Sequence, residues 1–355
     1  MEAISNKLVI IGNGFDLAHK FKTSYNDFIL WYLNEFIKNR NHSDEILNAE
    51  GCGDANFENN EVRGIDSIKD FQEKYIGRGL IKIKSNFFNQ LIREHEAYNW
   101  VDIEKEYYSS IVDIYEKIML NPNSRDVQVK LLSKLNRVFK FLRKKLEEYL
   151  TIIQNESITK LSPNTDSGFG SVFREQFYKE FENSNKKILF LNFNYTNTIE
   201  VYINKRPFSC NVNYIHGKLE EDENPIIFGF GDEIDGYYKK IEELNINEFL
   251  NNFKSFGYFK TKNYQKLLSF IESDLFDVEI LGHSCGLSDR VLLNTIFEHD
   301  NCEAIKIHYY ENNNGENDFT FKTQEISRHF NDGIKSKAKM RERIVSFLDC
   351  QPLRV

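Results

Sequence analysis

Leu8-Val9-Ile10-Ile11-Gly12-Asn13-Gly14-Phe15-Asp16 is the segment that determines which kind of sheet the chain can form. Its first four residues are aliphatic without alternation, which predicts a strand covered on both faces, as in a parallel sheet. Gly12 and Gly14 allow a tight turn and a close backbone approach to phosphate, like the first two glycines of a dinucleotide-binding pattern. Leu17 stands where the third glycine would fall, so the pattern is incomplete. We predict a strand that ends in a phosphate-contacting turn over residues 12–16.

Further apolar runs along the chain also end in glycine or polar residues. They lie at residues 187–191, 214–215, 226–228, 278–281 and 304–310. The residues that follow them include Asn194, His216 and Ser284. In a parallel sheet the carboxyl ends of the strands share one edge, and ligands bind there. Because turns alone would need neither Asn194 nor His216, we predict a nucleotide-sized pocket at this edge.

Strands that alternate with helices predict an α/β fold, here a Rossmann-like doubly wound parallel sheet with a large helical insertion. Residues 1–30 and 185–323 form the predicted Rossmann-like nucleotide-binding domain. Residues 31–184 form a mostly helical insertion, because apolar residues recur there at helical spacing. Residues 324–355 are predicted to form a C-terminal helix packed on the core.

Composition and charge limit the class of protein. The 355 residues include 46 Lys and Arg against 54 Asp and Glu, so the formal net charge of −8 is opposite to that of proteins that coat nucleic acid. The five cysteines are scattered without a C-x-x-C pair, so we expect neither a disulfide framework nor a metal site. No run approaches the roughly 18 apolar residues of a membrane span. We therefore expect a cytoplasmic protein without a membrane or nucleic-acid partner.

Gly282-His283-Ser284-Cys285-Gly286 matches the G-x-S-x-G pattern of a nucleophile elbow, in which a serine follows a strand. A serine hydrolase that uses Ser284 is therefore one alternative. Against it, the chain has no H-G-G-G-type motif for an oxyanion hole. The next helix is also predicted to begin only after Ser288, whereas a hydrolase helix begins at the nucleophile.

A family resemblance is carried by the strand at residues 8–11, by its turn and by the segment that follows. Leu8-Val9-Ile10-Ile11-Gly12-Asn13-Gly14-Phe15-Asp16-Leu17-Ala18-His19, then Thr23-Ser24-Tyr25 and Asp27-Phe28, resembles the N-terminal signature of the AbiH family of bacteriophage abortive-infection proteins. Later motifs resemble that family in the same order: Trp100-Val101-Asp102-Ile103-Glu104, Asn192-Phe193-Asn194-Tyr195-Thr196, Ile215-His216-Gly217, and Gly282-His283-Ser284 through Ser288-Asp289. The resemblance spans roughly residues 7–310 and implies a role in bacterial phage defence.

At a greater distance, the same motifs resemble the sirtuin-like NAD-binding fold. This resemblance implies that Asn194 is the conserved amide of an NAD pocket and that His216 is the catalytic histidine. It also implies nucleotide contacts from residues at the strand ends and near the first helix: Gly12, Asn13, Gly14, Phe15, Asp16, Asp27, Thr196, Gly282 and Ser284. Two departures matter. The zinc ribbon of sirtuins is missing, which speaks against protein deacetylation, and Thr196 stands where a carboxylate is expected.

If NAD is the substrate, the bond broken is the N-glycosidic bond between ribose and nicotinamide, whose transition state resembles an oxocarbenium ion. Neutral nicotinamide leaves readily, so the site has mainly to orient the ribose and place one water. A histidine whose pKa lies near neutrality suits a base, which gives His216 that role, and Asn194 can donate and accept at once. We therefore expect a phage-defence protein that binds NAD and hydrolyses it, with His216 and Asn194 as catalytic residues.

Three classes of function stay open at this point. The first is the NAD-hydrolysing enzyme. The second is a catalytically inactive, nucleotide-binding sensor or scaffold of a defence system, which Thr196 would suit. The third is the serine hydrolase that uses Ser284. The expected partner is a nucleotide, and a homo-oligomer or a partner defence protein is left open.

Overall fold

The computed structural model describes residues 6–39, 43–49, 64–98, 102–161, 187–203, 210–331 and 333–353. The strands are β1 (Asn6–Ile11), β2 (Leu47–Asn48), β3 (Lys82–Ile83), β4 (Ile188–Asn192), β5 (Cys210–Tyr214), β6 (Phe276–Leu281), β7 (Cys302–Tyr309) and β8 (Gln351–Pro352). The α-helices are α1 (Asn13–Ala18), α2 (Tyr25–Lys38), α3 (Ile68–Phe71), α4 (Asn86–Tyr98), α5 (Ile103–Leu120), α6 (Arg125–Leu161), α7 (Glu200–Ile203), α8 (Gly236–Glu243), α9 (Lys254–Tyr258), α10 (Asn263–Ser273), α11 (Arg290–Phe297), α12 (Phe319–Ser327) and α13 (Ile334–Arg343). Trp100 and Val101 of the quoted motif lie outside the described residues.

Six strands form one parallel sheet in the order β5-β4-β1-β6-β7-β8. Counted along the chain, these strands follow the order 3-2-1-4-5-6 of doubly wound dinucleotide-binding sheets. β1 pairs with β4 on one side and β6 on the other, so Ile10 lies beside both Leu191 and Ile280. The predicted α/β fold with a parallel sheet is confirmed, and its strand order is Rossmann-like.

The aliphatic run of β1 is buried on both faces of the sheet. Leu8 and Ile10 belong to a core that also contains apolar residues of α10 and α11. Val9 and Ile11 belong to a second core, to which α1 and α7 contribute. Because successive side chains of a strand point to opposite faces, four aliphatic residues in a row require cover on both faces. The expectation for residues 8–11 is therefore confirmed.

The structure corrects three predicted elements near the sheet. Residues 226–228 form no strand, because the Ile227 N–H donates to the backbone oxygen of His216 instead of to a strand of the sheet. The helix expected directly after Ser288 begins at Arg290, after a 3-10 turn over Leu287–Asp289, and no side chain caps it. The C-terminal region is two helices, α12 and α13, followed by β8, and the predicted boundary at residue 324 falls inside α12.

The chain divides into two compact units. The sheet unit contains Met1–Lys22, Leu150–Asp235 and Phe253–Val355, and the helical unit contains Thr23–Tyr149 and Gly236–Asn252. These bounds differ from the predicted insertion at residues 31–184. The end of α6 belongs to the sheet unit, where the Gln154 side chain accepts a hydrogen bond from the Asn197 N–H at 3.0 Å. The second segment of the helical unit was not predicted.

The helical unit packs along the apolar stripes that the sequence indicates. On α5 the apolar residues at helical spacing are buried: Tyr107, Ile111, Ile114, Tyr115 and Ile118. Tyr107 stacks on Phe139 of α6, with 3.9 Å between the ring centroids. On α6 the side chain of Leu132 is buried, whereas that of its neighbour Leu131 is exposed. No helix in the described ranges is long and apolar enough to cross a lipid bilayer.

The turn after β1 and the loop after β6 approach each other so closely that only glycine fits. A Cβ atom on Gly14 would lie 2.6 Å from the Gly282 carbonyl oxygen. A Cβ atom on Gly282, whose φ is +71°, would lie 2.1 Å from the Phe15 nitrogen. Both glycines are therefore required by the packing of one backbone segment on another, whatever ligand the edge binds.

We predict that Gly282→Ala lowers the free energy of unfolding by about 2–4 kcal/mol, because it adds a left-handed-region penalty to a backbone clash. Gly286→Ala in the same loop is the matched control: its φ is −70° and its Cβ would meet only Ser284 Oγ, at 3.6 Å. Urea denaturation followed by circular dichroism measures both variants. Equal stability of the two would contradict the packing role of Gly282.

Candidate functional site

The carboxyl ends of the central strands bring the first group of predicted site residues together. The Asn194 side chain donates to the Gly12 carbonyl oxygen at 3.1 Å, although 182 positions separate them. The Gly14 N–H donates to the Gly282 oxygen at 2.8 Å. This contact lies between β1 and β6, where the strand order reverses, and nucleotides bind at such a switch point in open α/β sheets.

The backbone amides of the turn after β1 form hydrogen bonds within the protein. The Gly12 N–H donates to Leu281 O at 3.1 Å, and the Phe15 N–H donates to Gly12 O at 2.8 Å. Of the three amides, those of Gly12 and Gly14 connect the β1 turn to the end of β6, and that of Phe15 closes the turn itself. The structure shows close backbone packing at Gly12 and Gly14, and their contact with a phosphate stays a prediction.

Asp16 and Thr196 form a buried pair beside this turn. The Thr196 hydroxyl donates to Asp16 Oδ2 at 2.5 Å, and both residues are at most 2% exposed. Burial raises the pKa of Asp16 to about 6, although the neighbouring polar side chains of Thr196, Thr198 and Asn194 lower it. Although Thr196 stands where a carboxylate is expected, this edge still has a carboxylate, which is that of Asp16 on α1.

His216 lies in a second buried cluster, which is built around the carboxylate of Asp289. His216 Nε2 is 3.2 Å from Asp289 Oδ1 and 3.1 Å from the Tyr258 hydroxyl. The Lys254 ammonium group donates to the same carboxylate oxygen at 2.8 Å. His283 Nε2 faces the other oxygen, Oδ2, at 3.6 Å. One carboxylate thus contacts two imidazoles and a lysine.

The two clusters meet at Phe193, the residue before Asn194. The Phe193 ring centroid lies 5.0 Å from that of His216 and 4.2 Å from that of His283. The backbone of His283 in turn abuts Gly12, where a Cβ atom would lie only 2.5 Å from the His283 Cα. His216 and the β1 turn therefore belong to one continuous group of contacts at the carboxyl edge.

Burial controls the charges of this cluster. It lowers the pKa of His216, an effect that Lys254 increases and Asp289 opposes. It also lowers the pKa of His283, to about 3, against the attraction of Asp289. For Asp289, burial alone would raise the pKa, but Lys254 and His216 outweigh it and hold the pKa well below its usual value. At pH 7 Asp289 is therefore ionised beside Lys254, and both imidazoles of the cluster are neutral.

Sequence reasoning missed most of this second cluster. Lys254 and Tyr258 lie on the short helix α9, about 40 residues after His216, and no motif joins them to it. Asp289 was quoted only as the end of a family motif, without a role. A buried lysine that is 1% exposed has to be paired, but the sequence around Lys254 gives no sign that it is buried.

Two other predicted residues are placed differently. Ser284 is exposed, and the positive φ angles of its motif are at Gly282 and Cys285, so Ser284 is not the strained residue of a nucleophile elbow. The adjacent His283 accepts a hydrogen bond from the Cys285 N–H at its Nδ1 and faces Asp289 with its Nε2. Asp27 belongs to the helical unit and forms a reciprocal interaction with Ser24, which caps α2.

We predict that Asp16→Asn gains stability relative to the unchanged protein as the pH rises. The folded pKa of about 6 exceeds the reference value of 3.8, so the contribution of Asp16 is present at low pH and lost as the pH rises through 6. Asparagine stays neutral, so the stability difference should shift in its favour by about 1.4 kcal/mol between pH 5 and pH 8. Urea denaturation at the two pH values measures this shift. Asp300→Asn, at an exposed ion pair with Lys339, should show a flat difference, and a flat difference for Asp16→Asn would contradict its raised pKa.

Comparisons with known proteins identify the family of the chain. No curated protein sequence matches the chain. The sequence model of the family described as bacteriophage abortive infection AbiH matches residues 8–311. That range begins in β1, includes Asn194, His216 and Asp289, and ends just after β7. The chain therefore belongs to the AbiH family of bacteriophage abortive-infection proteins.

Proposed function

We propose that this phage abortive-infection protein binds NAD at the carboxyl edge of its sheet and hydrolyses the ribose–nicotinamide bond. The observation that carries the proposal is the His216–Asp289–Lys254 cluster next to the strand-order switch point. Ionisable groups with strongly shifted pKa values at such a position are typical of functional sites. A structural ion pair would need neither imidazole.

The proposed reaction breaks the bond between ribose C1′ and the nicotinamide nitrogen, and nicotinamide leaves as a neutral base. Water adds to C1′ of the oxocarbenium-like transition state, and its proton passes to a neutral imidazole, that of His216. The products are nicotinamide, ADP-ribose and one proton. Because burial lowers the pKa of His216, its ring is neutral at pH 7 and ready to accept that proton.

Asp289 and Lys254 act on His216 as positioning residues in this proposal. The carboxylate stands 3.2 Å from His216 Nε2, so it fixes the ring and stabilises the imidazolium that forms when the ring accepts a proton. Lys254 compensates the charge of Asp289 while the ring is neutral. Asn194, held by Gly12, has its amide at the β1 turn, where it would orient the ribose or the water.

A second candidate is a nucleotide-binding sensor without turnover. The observation that favours it is burial, since His216 is 4% exposed and Asn194 is 8% exposed. A base that acts on bound water has to reach that water. A closed edge of this kind suits a protein in which a nucleotide changes the stability or the conformation of the fold.

We expect the purified full-length protein to release nicotinamide from NAD, and His216→Ala to reduce the turnover by about 10²-fold or more while NAD affinity changes little. Chromatography of nicotinamide and calorimetry of NAD binding are the measurements. His299→Ala is the control, because His299 precedes β7, at the opposite edge of the sheet. Binding without release would support the sensor. If cleavage of NAD depends on Ser284 and a fluorophosphonate probe labels the protein, the result would instead support the serine hydrolase.

We also predict that Asp289→Asn moves the acid limb of the pH–rate profile to lower pH and reduces kcat. Asp289 raises the pKa of His216, so its removal lowers that pKa and keeps the base neutral in more acidic solution. The loss of imidazolium stabilisation slows the reaction at the same time. An unchanged acid limb, with the folded state intact by circular dichroism, would show that His216 is not the titrating base.

A further inference from the structure

One oxygen of Asp16 is buried without a partner. Asp16 is 1% exposed, and its Oδ1 has no hydrogen-bond partner in the described part of the chain. The other oxygen, Oδ2, accepts from the Thr196 hydroxyl. A buried acceptor without a donor costs free energy, so such an atom in a folded protein calls for an explanation.

The polar side chains around Asp16 do not supply the missing donor. The Asn194 amide nitrogen donates to Gly12 O at 3.1 Å. The Thr198 hydroxyl lies 3.4 Å from Thr196 Oγ1 and donates in that direction. Both side chains lower the pKa of Asp16, yet neither satisfies Oδ1 with normal hydrogen-bond geometry. The carboxylate is thus held at Oδ2 by Thr196, while its buried Oδ1 has no donor among the described residues.

We propose that Asp16 Oδ1 accepts a hydrogen bond from an N–H or O–H group of the bound nucleotide, which makes Asp16 a binding residue of the switch-point site. This inference rests on the proposed function for the identity of the nucleotide. In NAD two groups carry the required chemistry, the carboxamide of nicotinamide and the hydroxyls of ribose. The position of Asp16 in the first turn of α1, directly after β1, suits either group.

The carboxylate is closed to bulk water, so the ligand group has to enter through a local opening of the loops. The measured affinity therefore includes the cost of that opening. Thr196 holds Oδ2 throughout, which keeps Oδ1 oriented and limits what has to be reorganised on binding. Thr196 is accordingly a positioning residue, and its removal should weaken binding less than removal of the carboxylate.

The test is calorimetric titration of the full-length protein and of Asp16→Asn with NAD and, separately, with ADP-ribose. Asparagine has the shape of aspartate, but its amide NH2 group can face the donor of the ligand. Two donors cannot form a hydrogen bond with each other. We expect its Kd for NAD to rise about 10- to 100-fold, as for loss of a hydrogen bond to a charged group. An equal rise for ADP-ribose assigns the donor to a ribose hydroxyl, and no rise for ADP-ribose assigns it to the carboxamide.

Asp300→Asn is the matched control, because it removes the same charge from an exposed ion pair with Lys339. Equal affinities of the unchanged protein and Asp16→Asn for NAD would overturn this inference alone. No binding of either probe to the unchanged protein would overturn it together with the proposed function. Binding that depends on Asp16 without nicotinamide release would overturn the proposed turnover and leave Asp16 as a binding residue.

A second variant covers the case in which Asp16→Asn does not fold. Thr196→Val removes the donor that holds Oδ2 and leaves the carboxylate in place. We expect a rise in the Kd for NAD relative to the unchanged protein, with kcat affected less than KM. An unchanged Kd for this variant would count against the orientation of Asp16 toward a ligand.

Discussion

The enclosure of β1 is the constraint on which the sheet unit depends. Strands lie on both sides of β1 and apolar cores lie on both of its faces, so the strand has to be aliphatic along most of its length. Since both neighbours run parallel to it, each connection has to cross back over the sheet. All strands then end at the same edge. The position of the candidate site follows from this geometry before any side chain of the site is considered.

The two buried carboxylates at that edge, those of Asp16 and Asp289, have pKa values shifted in opposite directions. Asp289 is surrounded by Lys254 and two imidazoles, so it stays ionised although it is buried. Asp16 has hydroxyl and amide neighbours, so its burial is not compensated by a positive charge and its pKa rises to about 6. Two acidic groups with pKa values pushed apart by their surroundings are a common arrangement where acid–base chemistry occurs. In this chain the two groups belong to different clusters, which meet at Phe193.

The sequence was informative where a local pattern has one physical cause. A continuous aliphatic run predicted β1, and largely apolar runs predicted β4 and β6, although Glu279 interrupts the run in β6. Apolar residues at helical spacing predicted α5. The sequence was less informative where a contact joins distant segments. Gly14 has the pattern of a phosphate turn, but its packing against Gly282 depends on a segment 268 positions later. Likewise, residues 226–228 have the composition of a strand, but their backbone donor is used by His216.

The pairing of β1 with β6 also has a consequence for how the chain is made in the cell. Lys7 on β1 forms an ion pair with Glu279 on β6, which is 272 positions later. A ribosome adds about 5–20 residues per second, so β1 waits roughly 15–50 s for this neighbour to be synthesised. Asp289 emerges later still, and without it the imidazole of His216 has no carboxylate. A nascent or truncated chain that ends before Asp289 therefore lacks the assembled carboxyl edge of the sheet.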